Sequence, residues 1–97
     1  MFIQFVKLKS GLPETEVQRI MKERAAQFRA VPGLRQKYYC RDDKTGEYAG
    51  VYVWESEESM QVYLKSELRR SIAEAYKVEG QPRVELLEVL FPLRPEK

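Results

Sequence analysis

Alternation of apolar and polar residues is the first signal in this chain, and it is clearest around Leu34 to Trp54, LRQKYYCRDDKTGEYAGVYVW. This stretch predicts a β-hairpin. Asp43-Lys44-Thr45-Gly46 puts Asp first and Gly fourth in a type I turn, which suits a three-residue loop closed by a G1 bulge. That turn pairs Asp43 with Glu47, sets Tyr38 opposite Tyr52 and Gln36 opposite Trp54, and puts Cys40 and Gly50 on the same face. Arg35, Lys37, Tyr39 and Arg41 then share the other face with Ala49, Val51 and Val53. Neither face of the second strand is polar, so each needs cover. Phe2 to Leu8 (FIQFVKL) reads as another strand, with Phe2, Gln4, Val6 and Leu8 on one side and Ile3, Phe5 and Lys7 on the other. Val84 to Phe91 (VELLEVLF) reads as the last.

Between the strands the period changes to that of a helix. Pro13 opens a first turn containing Glu14 and Glu16, and Val17, Ile20, Met21, Ala25 and Phe28 recur at helical spacing to about Ala30. Gln18, Lys22, Glu23 and Arg29 fall on the solvent side. Pro32-Gly33 ends this helix. Ser56 is an N-cap for a second one, with Glu57 and Glu58 in its first turn. Met60, Tyr63 and Leu64 form its inner stripe, which Ile72, Ala73 and Tyr76 continue after a break near Ser66-Glu67. Gly80, Gln81 and Pro82 close this segment.

Strand, helix, strand, strand, helix, strand is the ferredoxin-like βαββαβ order of an α+β fold: an antiparallel sheet with both helices on one face. The uncovered face carries Ile3, Phe5, Ala49, Val51, Val53 and one side of the last strand. An apolar face of that size calls for a homodimer in which two open sheet faces pack together about a twofold axis. Ninety-seven residues allow one domain, drawn here as 1–91 with a C-terminal tail at 92–97.

Composition then narrows the chemistry. The net charge of +2 arises from 17 basic and 15 acidic residues that are interspersed, a pattern that argues against nucleic-acid binding. No stretch reads as a signal peptide or a membrane span, so a cytoplasmic location is expected. The single cysteine, Cys40, forms no internal disulfide and reads as a small buried hydrophobe on the helix-facing side. Histidine is absent, which removes Ser-His and Cys-His nucleophile pairs, His-ligated zinc or iron and a proximal His on haem. Proton transfer falls to Glu, Asp, Lys, Tyr or water. Glu57 and Glu58 read as dipole-complementing surface residues, and Lys65, Arg69 and Arg70 as a solvated helix face.

The segment VPGLRQKYYCRDDKTGEYAGVYVWESEESMQVYLKSEL, with Pro-Gly entering a strand, Lys-Thr-Gly-Glu at the hairpin tip, Gly-x-Tyr in the next strand and Tyr-Leu in the second helix, resembles the YdhR-type monooxygenases. These belong to the antibiotic-biosynthesis-monooxygenase-like dimeric α+β barrels. The resemblance is best over Val31 to Leu68. It implies a cofactor-independent monooxygenase that oxidises an aromatic or quinol-type small molecule in a pocket between sheet and helices, with no cofactor and no metal. Its alternative is a non-catalytic small-molecule-binding or stress-related dimer of the same fold.

Enzymes of this group commonly place an amide on the first strand and a Trp at the end of the third. Gln4 and Trp54 stand there, with Gln in place of the usual Asn, and are the catalytic candidates. Haem-degrading relatives need an axial His near the place of Ala73, so haem cleavage is disfavoured. Tyr38, Tyr52, Tyr63 and Phe28 are the candidates for substrate binding. Aromatic residues between a sheet and its helices equally make an ordinary core. The Gln4 amide must find a hydrogen-bond partner, for which a ligand, a neighbouring Tyr and a backbone group are all candidates.

Overall fold

The alternating stretches pair, in a computed structural model that describes residues 1–95, into one four-stranded sheet. Its elements are β1 (Phe2–Ser10), α1 (Glu14–Arg29), β2 (Leu34–Arg41), β3 (Tyr48–Trp54), α2 (Glu57–Leu64), α3 (Glu67–Arg70), α4 (Ile72–Ala75) and β4 (Val78–Glu88). The strand order is β2-β3-β1-β4, and all three neighbouring pairs are antiparallel. This is the ferredoxin-like α+β arrangement, with the helices on one side of the sheet.

Pairing of β1 with β3 sets Phe2 opposite Trp54, Gln4 opposite Tyr52 and Val6 opposite Gly50. Because side chains alternate along a strand, these residues share the helix-covered face, while Ile3, Phe5, Val51 and Val53 share the other. Two buried clusters cover the first face. Phe28, Tyr52, Trp54, Met60 and Tyr63 form one; Val17, Tyr48 and Tyr76 form the second, and Ile72 packs against both.

The hairpin register differs from the expected one by one residue. Lys37, not Tyr38, faces Tyr52; Tyr38 faces Val51, Gln36 faces Val53 and Leu34 faces Trp54. The turn is built on Asp42 rather than Asp43. The Asp42 N–H donates to the Glu47 carbonyl (2.8 Å) and its carbonyl accepts from the Gly46 N–H (2.8 Å), which leaves a four-residue loop. Its carboxylate accepts from the backbone N–H groups of Lys44 (2.9 Å) and Thr45 (3.2 Å), and Lys7 on β1 reaches it at 2.6 Å. An Asx turn anchored by an ion pair outweighs the alternative that begins one residue later. A slip of one residue exchanges the faces of a whole strand. Tyr38 and Cys40 therefore lie on the open face, both exposed, while Lys37, Tyr39 and Arg41 turn toward the helices. The reading of Cys40 as a buried hydrophobe is corrected accordingly.

The last strand also starts earlier than Val84. β4 begins at Val78, with Ser10 opposite Val78 and Lys9 opposite Glu79, and the pairing shifts between Lys7 and Lys9. Gly80, Gln81 and Pro82 fall within that irregularity. β4 is an edge strand paired only with β1, where a proline is tolerated. At the other end the strand stops at Glu88, and the Val89 N–H donates to the Met1 carbonyl at 2.9 Å. Of the tail placed at 92–97, Glu96 and Lys97 lie outside the described residues.

The expected break in the second helical segment is present. The Ser66 hydroxyl accepts from the Arg69 N–H (3.2 Å), which starts α3 and ends the run from α2. Ser56 caps α2 in the same way, accepting from the Ser59 N–H at 3.2 Å.

Candidate functional site

Gln4 and Trp54 come from adjacent strands on the same face, and the register brings them together. The Trp54 indole N–H donates to Gln4 Oε1 at 3.0 Å. Both are buried, at 0% and 2% exposure for Trp54 and Gln4. This bond settles one end of the amide only. The NH2 end makes no hydrogen bond among the described residues, and Gln4 lines a cavity of about 50 Å³ with Tyr52, Tyr63, Arg69 and Ala73. A neutral amide with its carbonyl fixed by an indole has its donors aimed at a fixed place, which suits recognition of an oxygen atom.

Aromatic rings wall this region. The Tyr52 and Trp54 rings are parallel with centroids 6.3 Å apart, and Trp54 and Tyr63 lie 5.2 Å apart. Phe28 of α1 sits 6.3 Å from Tyr52 and 6.2 Å from Tyr63. The Tyr63 hydroxyl donates to that of Tyr52 at 3.4 Å. Burial pushes the Tyr52 hydroxyl well above the usual phenol range and raises Tyr63 as well, so both stay protonated donors near neutral pH. Gly50 makes the arrangement possible: a Cβ there would stand 2.9 Å from Tyr52 Cε1, so only glycine lets the ring lie across β3.

Of the expected substrate-binding residues, Tyr52, Tyr63 and Phe28 meet in this cluster together with Trp54. Tyr38 does not. It is 55% exposed on the far side of the sheet, as the shifted register requires. In its place the structure brings in Lys37, whose ammonium lies 3.4 Å from the Phe28 ring centroid, 4.4 Å from Tyr39 and 4.7 Å from Tyr52. Burial, reinforced by the charge of Arg24, pushes the Lys37 amine down to about 7. The signal that would have found Lys37 is the Asp42 side chain, which is as good a turn residue as Asp43.

A second inner cavity of about 50 Å³ is bordered by Lys37, Tyr39, Tyr52, Ile72 and Tyr76. It shares Val6, Leu8, Tyr52 and Ile72 with the cavity beside Gln4. Each inner space is far below the few hundred Å³ of an ordinary ligand pocket. Two larger clefts, of about 290 and 420 Å³, open between α1 and β2, and Tyr39, Ala25 and Arg29 border both. Lys37 borders the first cleft and the inner cavity alike.

Among the described residues no three His, Cys, Asp or Glu side chains are grouped so as to hold a metal ion, and no helix is long and apolar enough to cross a membrane.

A four-stranded antiparallel sheet with its helices on one face is the fold of the antibiotic-biosynthesis-monooxygenase-like proteins. The chain belongs to the family described as "Putative mono-oxygenase ydhR", whose family model matches residues 3–81. No curated protein matches it. Among solved structures, a "putative antibiotic biosynthesis monooxygenase" from Deinococcus radiodurans superimposes with a TM-score of 0.77 at 16% identity, covering 100% of both chains. A protein of the same description from Caulobacter crescentus gives 0.78 at 17% identity, over 93% of this chain and 90% of the other. SnoaB, described as a cofactor-independent oxygenase from Streptomyces nogalater, gives 0.75 at 20% identity, over 97% of this chain and 98% of its own.

Proposed function

We propose that this chain is a monooxygenase that works without a cofactor on a phenol- or quinol-type aromatic molecule, held between the sheet and the helices. Membership of the mono-oxygenase family supports the reaction class, and the fold shared with SnoaB is consistent with the cofactor-independent form. The observation that carries the reading is the Gln4 amide, fixed by Trp54 at 3.0 Å beside a cavity that Tyr52 and Tyr63 also line.

The chemistry asked of such a site is limited. A deprotonated phenol is electron-rich enough to reduce oxygen itself. A ring carbon forms a C–O bond with oxygen, the resulting peroxide gains a proton, and loss of water leaves a carbonyl. One oxygen atom ends in the product and the other in water. All four electrons come from the substrate, so no outside reductant is needed. The protein's tasks are to bind the ring, favour loss of the proton and keep the anion away from bulk water. Gln4 donates to the substrate oxygen as charge grows on it, and Trp54 and Tyr52 hold the ring plane.

Oxygen uptake with a panel of dihydroxynaphthalenes tests this. Gln4→Leu, a close match in size, is expected to fold normally and to lower kcat by at least about tenfold, the lower end of what a lost oxyanion donor produces. Wild-type uptake no faster than buffer, for every compound, would refute the enzyme and leave a ligand-binding protein.

The open sheet face belongs to the same proposal. It carries Ile3, Phe5, Val51 and Val53, with Tyr38 and Leu87 both more than half exposed. We assign it to a second copy of the chain, packed sheet to sheet. Val51→Glu is expected to give monomers by light scattering; an intact dimer would place the interface elsewhere.

A further inference from the structure

Lys37 borders the inner cavity, and no carboxylate lines that cavity to meet its charge. The Lys37 ammonium rests on the faces of Phe28, Tyr39 and Tyr52, and among the described residues it makes no ion pair and no side-chain hydrogen bond. Arg24, on the inner side of α1, spends one Nη on the Leu68 carbonyl (3.3 Å) and the Ser71 hydroxyl (2.7 Å). Its Nε is buried without a partner. The Arg24 charge opposes that of Lys37 and favours ionisation of Tyr39, Tyr63 and Tyr76. Buried positive charge without a counter-ion is unfavourable, and a bound anion would complete it. The ring faces around Lys37 restrict that anion to a flat one.

We infer that the chain binds its phenol-type substrate as the phenolate, with Lys37 taking the phenolic proton and Arg24 facing the resulting negative charge. The phenolic O–H bond breaks, its electron pair stays on oxygen, and a new N–H bond forms on Lys37. The substrate class rests on the proposed function; the anion and the base rest on this cluster.

The surroundings decide which group is the base. Arg24 and Arg29 face the cluster from α1, Tyr39 from β2, Tyr52 from β3, Tyr63 from α2, Arg69 from α3, and Tyr76 follows α4. Burial raises all four phenols, so they remain protonated and serve as donors to the phenolate. The arginines stay charged. Lys37, pushed down to about 7, is the one group here with a free electron pair slightly above neutral pH.

Anaerobic titration of the full chain with 2-naphthol at pH 8, without oxygen chemistry, tests the inference. Free 2-naphthol is protonated there, so growth of the naphtholate absorption band reports ionisation on binding. In a weakly buffered solution with a pH indicator, wild type is expected to show that band with no proton released, because the proton moves to Lys37. Lys37→Arg is expected to show the band with about one proton released per site, since arginine holds charge but takes no proton. Lys37→Met is expected to bind at least tenfold more weakly and without the band. Binding without a naphtholate band, proton release by the wild type, or no binding would each overturn the inference. Because the titration excludes oxygen, a positive result beside zero oxygen uptake would sink the monooxygenase reading alone.

Discussion

Replacing Lys37 by methionine is predicted to stabilise the protein at neutral pH and to abolish a rise in stability toward alkaline pH. The lysine lies partly buried among Phe28, Tyr39 and Tyr52, and the charge of Arg24 opposes its own. Its amine falls from the ordinary 10.5 to about 7. At 1.36 kcal/mol per pH unit, that gap corresponds to about 5 kcal/mol against the charged form. Of that, about 3 kcal/mol falls between pH 7 and 9.5.

The sign follows from which state holds more protons. Between about 7 and 10.5 the unfolded chain keeps the lysine protonated while the folded chain does not, so stability rises with pH across that window. The destabilisation is present in full below about 7 and is relieved as pH climbs toward the unfolded value. Methionine matches the stem in size, and its sulfur packs well on aromatic rings. Urea denaturation at pH 7, 8 and 9.5 measures the effect. Wild type should gain about 3 kcal/mol over that range, and Lys37→Met should be nearly flat and more stable by a similar amount at pH 7. Parallel curves for the two proteins, or a variant weaker at pH 7, would show that the ammonium is well solvated or well paired, and the base assignment would fall with that result.

Three further outcomes are expected. Trp54→Phe removes the donor to buried Gln4 Oε1 and should lower stability by about 1–3 kcal/mol in urea, whereas a neutral effect would mean water or another group satisfies the amide. Gly33→Ala combines a positive backbone angle (φ 80°) with a Cβ that would overlap the Ser59 side chain; a loss of at least about 2 kcal/mol is expected, read as a lower urea midpoint. Asp42 is held down to about 2 by the Lys7 hydrogen bond and the N–H groups of Lys44 and Thr45. Its contribution is therefore complete above 3.8 and is lost as pH falls through about 2, and Asp42→Asn should flatten the far-ultraviolet acid transition in that window.

Element order and the helix-covered face of β1 and β3 were legible because periodicity is a local property. Alternation put Gln4 on one face of β1 and Tyr52 with Trp54 on one face of β3; bringing Gln4 and Trp54 together rested on the family resemblance. The partnering of β2 could not. Its two alternating sets, Tyr38 with Cys40 and Lys37 with Tyr39, each hold an aromatic ring, so the pattern does not prefer either face. Two consecutive aspartates offer two turns of similar quality. The choice between them is made by Lys7, 35 positions earlier on another strand, whose ammonium bonds Asp42. A pairing decided by tertiary contact was invisible to a local reading.

Charge hid the rest. Arg24 lies three residues after Met21 and four before Phe28, so its position belongs to the inner stripe of α1 by the same spacing that selects Val17 and Phe28. Reading the stripe by hydrophobicity passes over it, as it passes over Lys37. Yet an arginine at a core-facing helical position is itself informative, because burying it is unfavourable unless something answers its charge. Two such residues from separate elements, one of them bordering a cavity that no carboxylate lines, are not explained by packing. Methionine or leucine would fill the same space at lower free energy. The same reasoning separates the two tyrosines of β2: Tyr38 covers the outer face of the sheet, whereas Tyr39 borders the inner cavity with Lys37 and raises the demand for a ligand there. The chamber is thus built to be finished by an anion, and the shift of one residue in the hairpin is what turns its lysine inward.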